Sequence, residues 1–206
     1  MPRKTRAPAP KTITVREAAK QETREALLDA GLEVFAKEGL DAPSLDAICA
    51  RAGLTRGAFY VHFQAREDFI VAVMQKATQG FLDTVLLGTK GGFDLEFAIA
   101  AFATMSSSMR FGSFGQIPPH QFLAACARSR ELHRYYTSFL EEARARVTRA
   151  VRAGQEAGRL RADVDSKAAA NLIVAAALGV ETMGELHFPV DLPGGAAALL
   201  TLLRAK

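Results

Sequence analysis

Gly53-Leu54-Thr55-Arg56-Gly57-Ala58-Phe59-Tyr60-Val61-His62-Phe63-Gln64-Ala65-Arg66 is the stretch on which the reading of this chain turns. Gly53-Leu54 reads as a tight turn, and Thr55 as a capping residue whose hydroxyl can accept from the first free N–H groups of a helix. A very short helix follows, reaching about Val61 or His62. It sets Gly, Tyr and His among the aromatic anchors Phe59 and Phe63. Arg66 stands where the next helix begins. Few soluble enzymes need such a segment, whereas a short helix that must lie against a nucleic-acid backbone does.

Working outward, Ala42-Pro43-Ser44 starts a helix with Ser44 as its N-cap, and Gly53 ends it. Two helices joined by the three-residue break Gly53-Leu54-Thr55 form a helix-turn-helix. Cys49 and Ala52 supply the small residues such a close crossing needs. Ile48, Leu54 and Phe59 form a miniature core, with Phe63 joining Phe59 at i, i+4. At about 100° per residue, Gly57, Ala58 and Val61 then fall on the opposite face, flanked by Tyr60 and Arg56. Gly57 is informative because glycine inside a helix costs about 1 kcal/mol relative to alanine. Close approach to the floor of a major groove would account for it. Tyr60 and His62 carry hydrogen-bonding tips suited to phosphate oxygens, and Arg56 can contact guanine bidentately or a phosphate. Arg66 adds charge at the start of the fourth helix. Each residue alone could be ordinary packing or a solvated charge; their conjunction in one window carries the inference.

The rest of the 206-residue chain reads as helical, and the fold class is all-α. Thr14-Val15-Arg16-Glu17 is a capping box, and Leu27, Ala30, Gly31, Val34 and Phe35 keep helical spacing up to Gly39. A fourth helix runs from near Ala65 to about Leu86 and links two domains physically. Further helices are expected over 93–109, 120–127, 131–157 and from 166 to about 186, with a last one closing the chain. Phe111 to Pro119 reads as a loop, since Gly and two prolines forbid regular structure. The division is a disordered basic arm over 1–13, a helix-turn-helix domain over 14–64, and a larger helical domain over 65–206.

Composition narrows the function classes. The net charge of +4 is modest, but Arg3, Lys4, Arg6, Lys11 and Arg16 crowd the first sixteen residues with no acid among them. That arm suits phosphate attraction and equally suits a solvated tail. Cys49 and Cys126 have no metal-ligand or disulfide-framework spacing, which fits a reducing cytoplasm. Cys49 is read as a buried small residue, with thiol sensing the lesser alternative. The uncharged run Ala168–Val180 is 13 residues, short of the roughly 20 that span a bilayer. No metal or cofactor is expected, and no membrane partner.

The stretch Leu27–Val73 resembles the amino-terminal domain of the tetracycline-repressor (TetR) family. The matching residues are Leu27-Leu28, Ala30, Phe35, Gly39, Ser44-Leu45, Ile48, Ala52-Gly53-Leu54, Thr55, Gly57, Phe59-Tyr60, His62-Phe63, Arg66-Glu67 and Ile70. The family's usual alanine is Cys49 here, and its usual lysine is Arg66. The resemblance implies an all-helical homodimeric regulator that reads double-stranded DNA at a palindromic operator and binds a small-molecule effector in its carboxyl-terminal domain. Ser44, Tyr60, His62 and Arg66 would then bind phosphates, while Thr55, Arg56, Gly57 and Ala58 would sit nearest base edges.

The carboxyl-terminal two-thirds is less decisive. Small residues in the penultimate helix, together with Leu199, Leu200, Leu202 and Leu203 in the last, imply a dimer interface through these two helices; an intramolecular bundle is the alternative. The aromatic and methionine residues over 93–139 are either core or the wall of an effector cavity. The candidate ligand set is Phe97, Phe102, Met105, Phe122, Phe139 and Asn171, for a small hydrophobic or amphipathic effector. The rival reading is a helical enzyme or small-molecule-binding protein whose helix-turn-helix is an interaction module. Against an enzyme, His120, His133 and His187 show neither metal-ligand spacing nor a nucleophile motif.

Overall fold

Local hydrogen-bond chemistry sets where the helices begin. The computed structural model describes residues 14–86, 95–107, 117 and 119–205, with the side chains of 79–86, 97, 105, 107 and 119 outside that description. The basic arm 1–13 and most of the loop expected over 111–119 therefore lie outside the described residues. Thr14, Ser44, Thr55, Ser129, Asp165 and Asp191 each accept, through the side chain, a backbone N–H of the first turn they precede. Thr14 and Glu17 complete a reciprocal capping box. The helices are α1 (Val15–Glu38), α2 (Leu45–Arg51), α3 (Arg56–Tyr60), α4 (Arg66–Leu86), α5 (Leu95–Ser107), α6 (Pro119–Arg128), α7 (Arg130–Glu156), α8 (Ser166–Glu185) and α9 (Leu192–Leu203). Among the described residues there is no strand, only an isolated bridge between Leu160 and Arg204. The third helix ends at Tyr60, earlier than the sequence spacing suggests. Its last turn is prolonged by the N–H groups of His62 and Phe63, both donating to Phe59 O at 2.9 and 3.0 Å.

Two apolar cores result. The first gathers α1–α4, Ile117, α6 and the beginning of α7, with Phe35, Ile48, Phe59, Phe69, Val73, Met74 and Phe122 fully enclosed. The second lies among α5, the later turns of α7, α8 and α9, around Leu95, Val147, Val151, Ala170 and Leu203. Phe122 belongs to the first core, where its ring meets Tyr136 edge-on at 5.0 Å. Leu203 is buried in the second core and Leu199 and Leu200 pack against it; Leu202 stays 68% exposed. The spacing Ala196, Leu199/Leu200, Leu203 is one helical stripe. It points inward, so of the four leucines only Leu202 remains on the outer face.

The head is joined to the body at two places. One is α4. There Gly31 of α1 lies so close that a Cβ on it would come within 2.6 Å of Phe69 Cζ and 2.8 Å of Val73 Cγ2. The other is the turn after α1, where Gly39 (φ 85°) faces Gln121 of α6 and Asp41 pairs with Arg128. Gly31→Ala should destabilise the protein by about 1–3 kcal/mol, since a packed aromatic and a β-branched side chain must both move. A urea melt checks this; an unchanged midpoint would mean that α1 and α4 are free to separate.

Candidate nucleic-acid interface

Burial on one side fixes what α3 presents on the other. Phe59 is fully buried, its ring 5.2 Å from Phe69 and 5.3 Å from Phe63. That anchor leaves Arg56, Gly57, Tyr60 and Val61 exposed, with Ala58 half-buried at the edge. Tyr60 leans edge-on against Phe59 at 5.5 Å and 85° while remaining 56% exposed. A Cβ on Gly57 would meet only Thr55 Oγ1, at an ordinary 3.7 Å. Nothing among the described residues therefore requires glycine at 57.

Ser44 and Thr55 have structural duties that precede any contact with a partner. Ser44 Oγ accepts from Ala47 N at 3.1 Å and Thr55 Oγ1 from Ala58 N at 3.2 Å. Gly53, at φ 69°, takes the left-handed turn between the two helices. Arg56 Nε pairs with Asp46 Oδ1 at 2.9 Å across the exposed face of α2 and α3. An exposed pair of this kind is worth about 0–1 kcal/mol, so Asp46 can orient the guanidinium without withholding it. Arg51, on the same helix as Asp46, is tied to Glu33 of α1, its Nε donating to Oε2 at 2.7 Å.

Arg66 is placed differently from its neighbours in the motif. It is half-buried, donates from Nη1 to Pro43 O at 2.6 Å and from Nη2 to Leu40 O at 2.9 Å, and lies 6.0 Å above the Phe35 ring. Its guanidinium ties the turn between α1 and α2 to the start of α4. A lysine could supply the charge but not this planar two-pronged grip.

Two further basic residues of α1, Lys20 and Arg24, lie beside the residues expected from the motif. A groove between the amino-terminal half of α1 and the α3 region is lined by Arg16, Lys20, Thr23, Ala58, Val61 and His62, together with Thr14, Ala19 and the capping-box carboxylate Glu17. Arg16, Lys20 and Arg24 recur at i, i+4, i+8 on α1, a signal present in the sequence but assigned only in part to the basic arm. Arg24 stacks over the Phe63 ring at 5.3 Å, and the others border the groove. His62 is held below its ordinary pKa by burial, then by the charges of Lys20 and Arg24, so its ring is neutral at pH 7. Cys49 is enclosed and its thiol pushed up by burial, with Asp46 contributing in the same direction. That opposes thiolate formation.

The candidate ligand residues are scattered. Phe102 and Phe139 line an apolar cavity of about 290 Å³ among α5, α7, α8 and α9. Phe122 is in the first core and Asn171 is exposed on α8, neither of them on the cavity wall. The side chains of Phe97 and Met105 lie outside the described residues. Among those described, no group of three or more His, Cys, Asp or Glu could hold a metal ion, and no helix is long and apolar enough to cross a membrane.

Residues 27–73 match the family model described as bacterial regulatory proteins, tetR family. The helix-turn-helix transcriptional regulator SrpR of Pseudomonas putida is 44% identical over 57 residues, covering 28% of this chain and 27% of that one. The transcriptional repressor BepR of Brucella suis is 42% identical over 64 residues, 31% of this chain and 30% of the relative. Across the first three curated relatives the matched part spans 26–42% of their length. Similarity in fold extends over about nine-tenths of the chain. A TetR-family regulator from Cytophaga hutchinsonii superposes with a TM-score of 0.76 at 17% identity, covering 91% of this chain and 98% of the other. SmeT in its triclosan complex gives 0.70 at 24%, covering 90% and 93%. Residues 27–73 thus carry a segment like that of the tetR family of bacterial regulatory proteins, on a helical fold similar to that of these regulators.

Proposed function

We propose that this transcriptional regulator works as a homodimer, lays α3 of each subunit in a major groove of a palindromic operator, and acts as a repressor released by a small hydrophobic or amphipathic effector. Gly57 carries the DNA-facing part of the reading. It is the second residue of the five-residue α3, on its exposed face, where alanine would favour the helix and the described protein makes no demand for glycine. A surface that must approach the α3 backbone closely accounts for the choice. Arg56, Tyr60 and Val61 surround it as the groups nearest the groove floor. Arg16, Lys20 and His62 line the adjoining channel, where a phosphate strand would run. Ser44 and Thr55 are the caps whose free lone pairs can take part at the margins.

Dimerisation is supported by the outer faces of α8 and α9. Leu172, Met183, Leu186, Phe188 and Leu202 are all exposed there or in the turn between these helices. Ala168, Ala175, Gly179 and Gly184 lower the profile of α8, which lets a second helix approach. A dimer places two copies of α3 about 34–36 Å apart, or further, for successive grooves. Retardation of the promoter fragment upstream of the protein's own gene, followed by footprinting, tests this. A two-fold symmetric footprint with two subunits bound is the expected result, and a monomer on one asymmetric half-site would overturn it.

The variants separate roles. Gly57→Ala should leave the free protein as stable, or up to about 1 kcal/mol more so, yet weaken operator binding; unimpaired binding would remove α3 from the groove. Arg56→Ala should relax preference at one base pair by about 1–3 kcal/mol. Lys20→Ala should weaken all sequences alike and lower the salt slope by about one unit. Arg66→Ala should differ from Lys20→Ala by lowering thermal stability as well, because its carbonyl partners lose their donors. His62 lies below its ordinary pKa in the free protein, and neighbouring phosphates would raise it in the complex. Operator affinity should therefore rise as the pH falls through the value in the complex and level off below that of the free protein, and His62→Gln should flatten that dependence.

A further inference from the structure

We propose that Val61, with Ala58 beside it, is a base-reading group that recognises the 5-methyl of a thymine, so that each operator half-site carries one thymine read by apolar contact. This rests on the reading above that lays α3 in a major groove. Val61 is the C-cap of α3 and keeps helical dihedrals, φ −68° and ψ −24°. Gly57 and Ala58 therefore lie one turn back on the same face. Val61 is 64% exposed although its side chain is wholly apolar, and it belongs to neither apolar core.

The side chains on that face limit what can be said to a base. Of Arg56, Gly57, Ala58, Tyr60 and Val61, only Arg56 and Tyr60 carry a polar side-chain atom. Hydrogen-bonded readout by Gly57, Ala58 and Val61 is closed for want of donors and acceptors. In the major groove adenine, guanine and cytosine present donors and acceptors, and thymine alone adds a methyl. A polar base edge pressed against Val61 would lose its water and gain no partner. A methyl there would remove apolar surface from water on both sides.

There is room for such a contact. A Cβ on Gly57 would meet only Thr55 Oγ1, at 3.7 Å, so the α3 face one turn before Val61 is open. Arg16 and Lys20 line the groove that Val61 borders; the one carboxylate there, Glu17, accepts from Thr14 N at 2.9 Å in the capping box. The apolar spot thus lies beside cations that draw in a phosphate strand. Val61 follows Arg56 by about 7.5 Å of helix, more than two base-pair steps of about 3.4 Å. The two side chains address separate base pairs.

The test uses the full chain and a duplex that it selects from a random-sequence library. Each thymidine is replaced in turn, in both half-sites together, by deoxyuridine, which removes the methyl alone. One symmetric pair of replacements should weaken binding about fourfold for each half-site, the effect of one buried methyl group. Val61→Ala, at an exposed position, should melt as the unaltered protein does and lose its sensitivity to uracil at that position. With labelled valine methyls, the unaltered protein should show an NOE between Val61 and that thymine methyl, which keeps the test intact if the variant does not fold. Uracil tolerated everywhere, the same penalty in Val61→Ala, or no such NOE would overturn the proposal. If Arg56→Ala still relaxed preference at one base pair, α3 would nonetheless remain in the groove. Selection of no sequence, or Arg56→Ala without effect on base preference, would overturn the groove reading and this inference with it.

Discussion

Phe69 is the residue on which the geometry of the reading head depends. Its ring, on α4, lies 5.9 Å from Phe35, 5.2 Å from Phe59 and 5.0 Å from Phe63, so one side chain locates α1, α3 and the turn after α3 together. Edge and tilted contacts of this kind are directional, and each adds to the area buried. A five-residue helix such as α3 could not persist alone, since nucleation costs more than so few hydrogen bonds return. It holds its orientation because Phe59 is clamped between neighbours on two other elements. The exposed face of α3 is a by-product of that clamp.

Around this anchor, positive charge is divided between scaffolding and display. Arg51 is engaged by Glu33, Lys76 by Glu25 and Asp29, and Arg66 by two carbonyl oxygens. These fasten α1, the turn after it, α2 and α4 to one another. Arg16 and Lys20 border an open groove instead, and Arg56 is steadied only by an exposed aspartate. The modest net charge of the chain conceals this division, because pairing and placement, not the sum, decide which cations a polyanion can meet.

Features that depend on neighbours along the chain are legible in the sequence itself. Thr14, Ser44, Thr55 and Asp165 cap because a side-chain oxygen reaches an N–H three residues on, whatever surrounds it. The pairing of Phe59 with Phe63 and the outward turn of Gly57 follow from helical spacing in the same way. What is not legible depends on partners remote in the chain. Arg66 can be placed at the start of α4, but its carbonyl partners come from a turn more than twenty residues earlier. The aromatic residues over 93–139 can be recognised as apolar, but not sorted between cores. Phe122 enters the first through Tyr136, whereas Phe102 faces the second and the cavity. The leucines of α9 likewise take their direction from α5, which the periodicity of α9 alone does not specify.

The first core continues without a break from Leu27 of α1 to Phe139 of α7. The segment recognisable across the family stops at residue 73, in the middle of that core. What is shared in sequence is therefore not a separable unit of folding. Grafting this head onto another helical body after residue 73 would cut Phe69, Ile70 and Val73 away from Met74, Phe122 and Tyr136 of the same core, and expose apolar surface on both pieces. The reading face is portable as a motif, but its rigidity is on loan from α6 and α7.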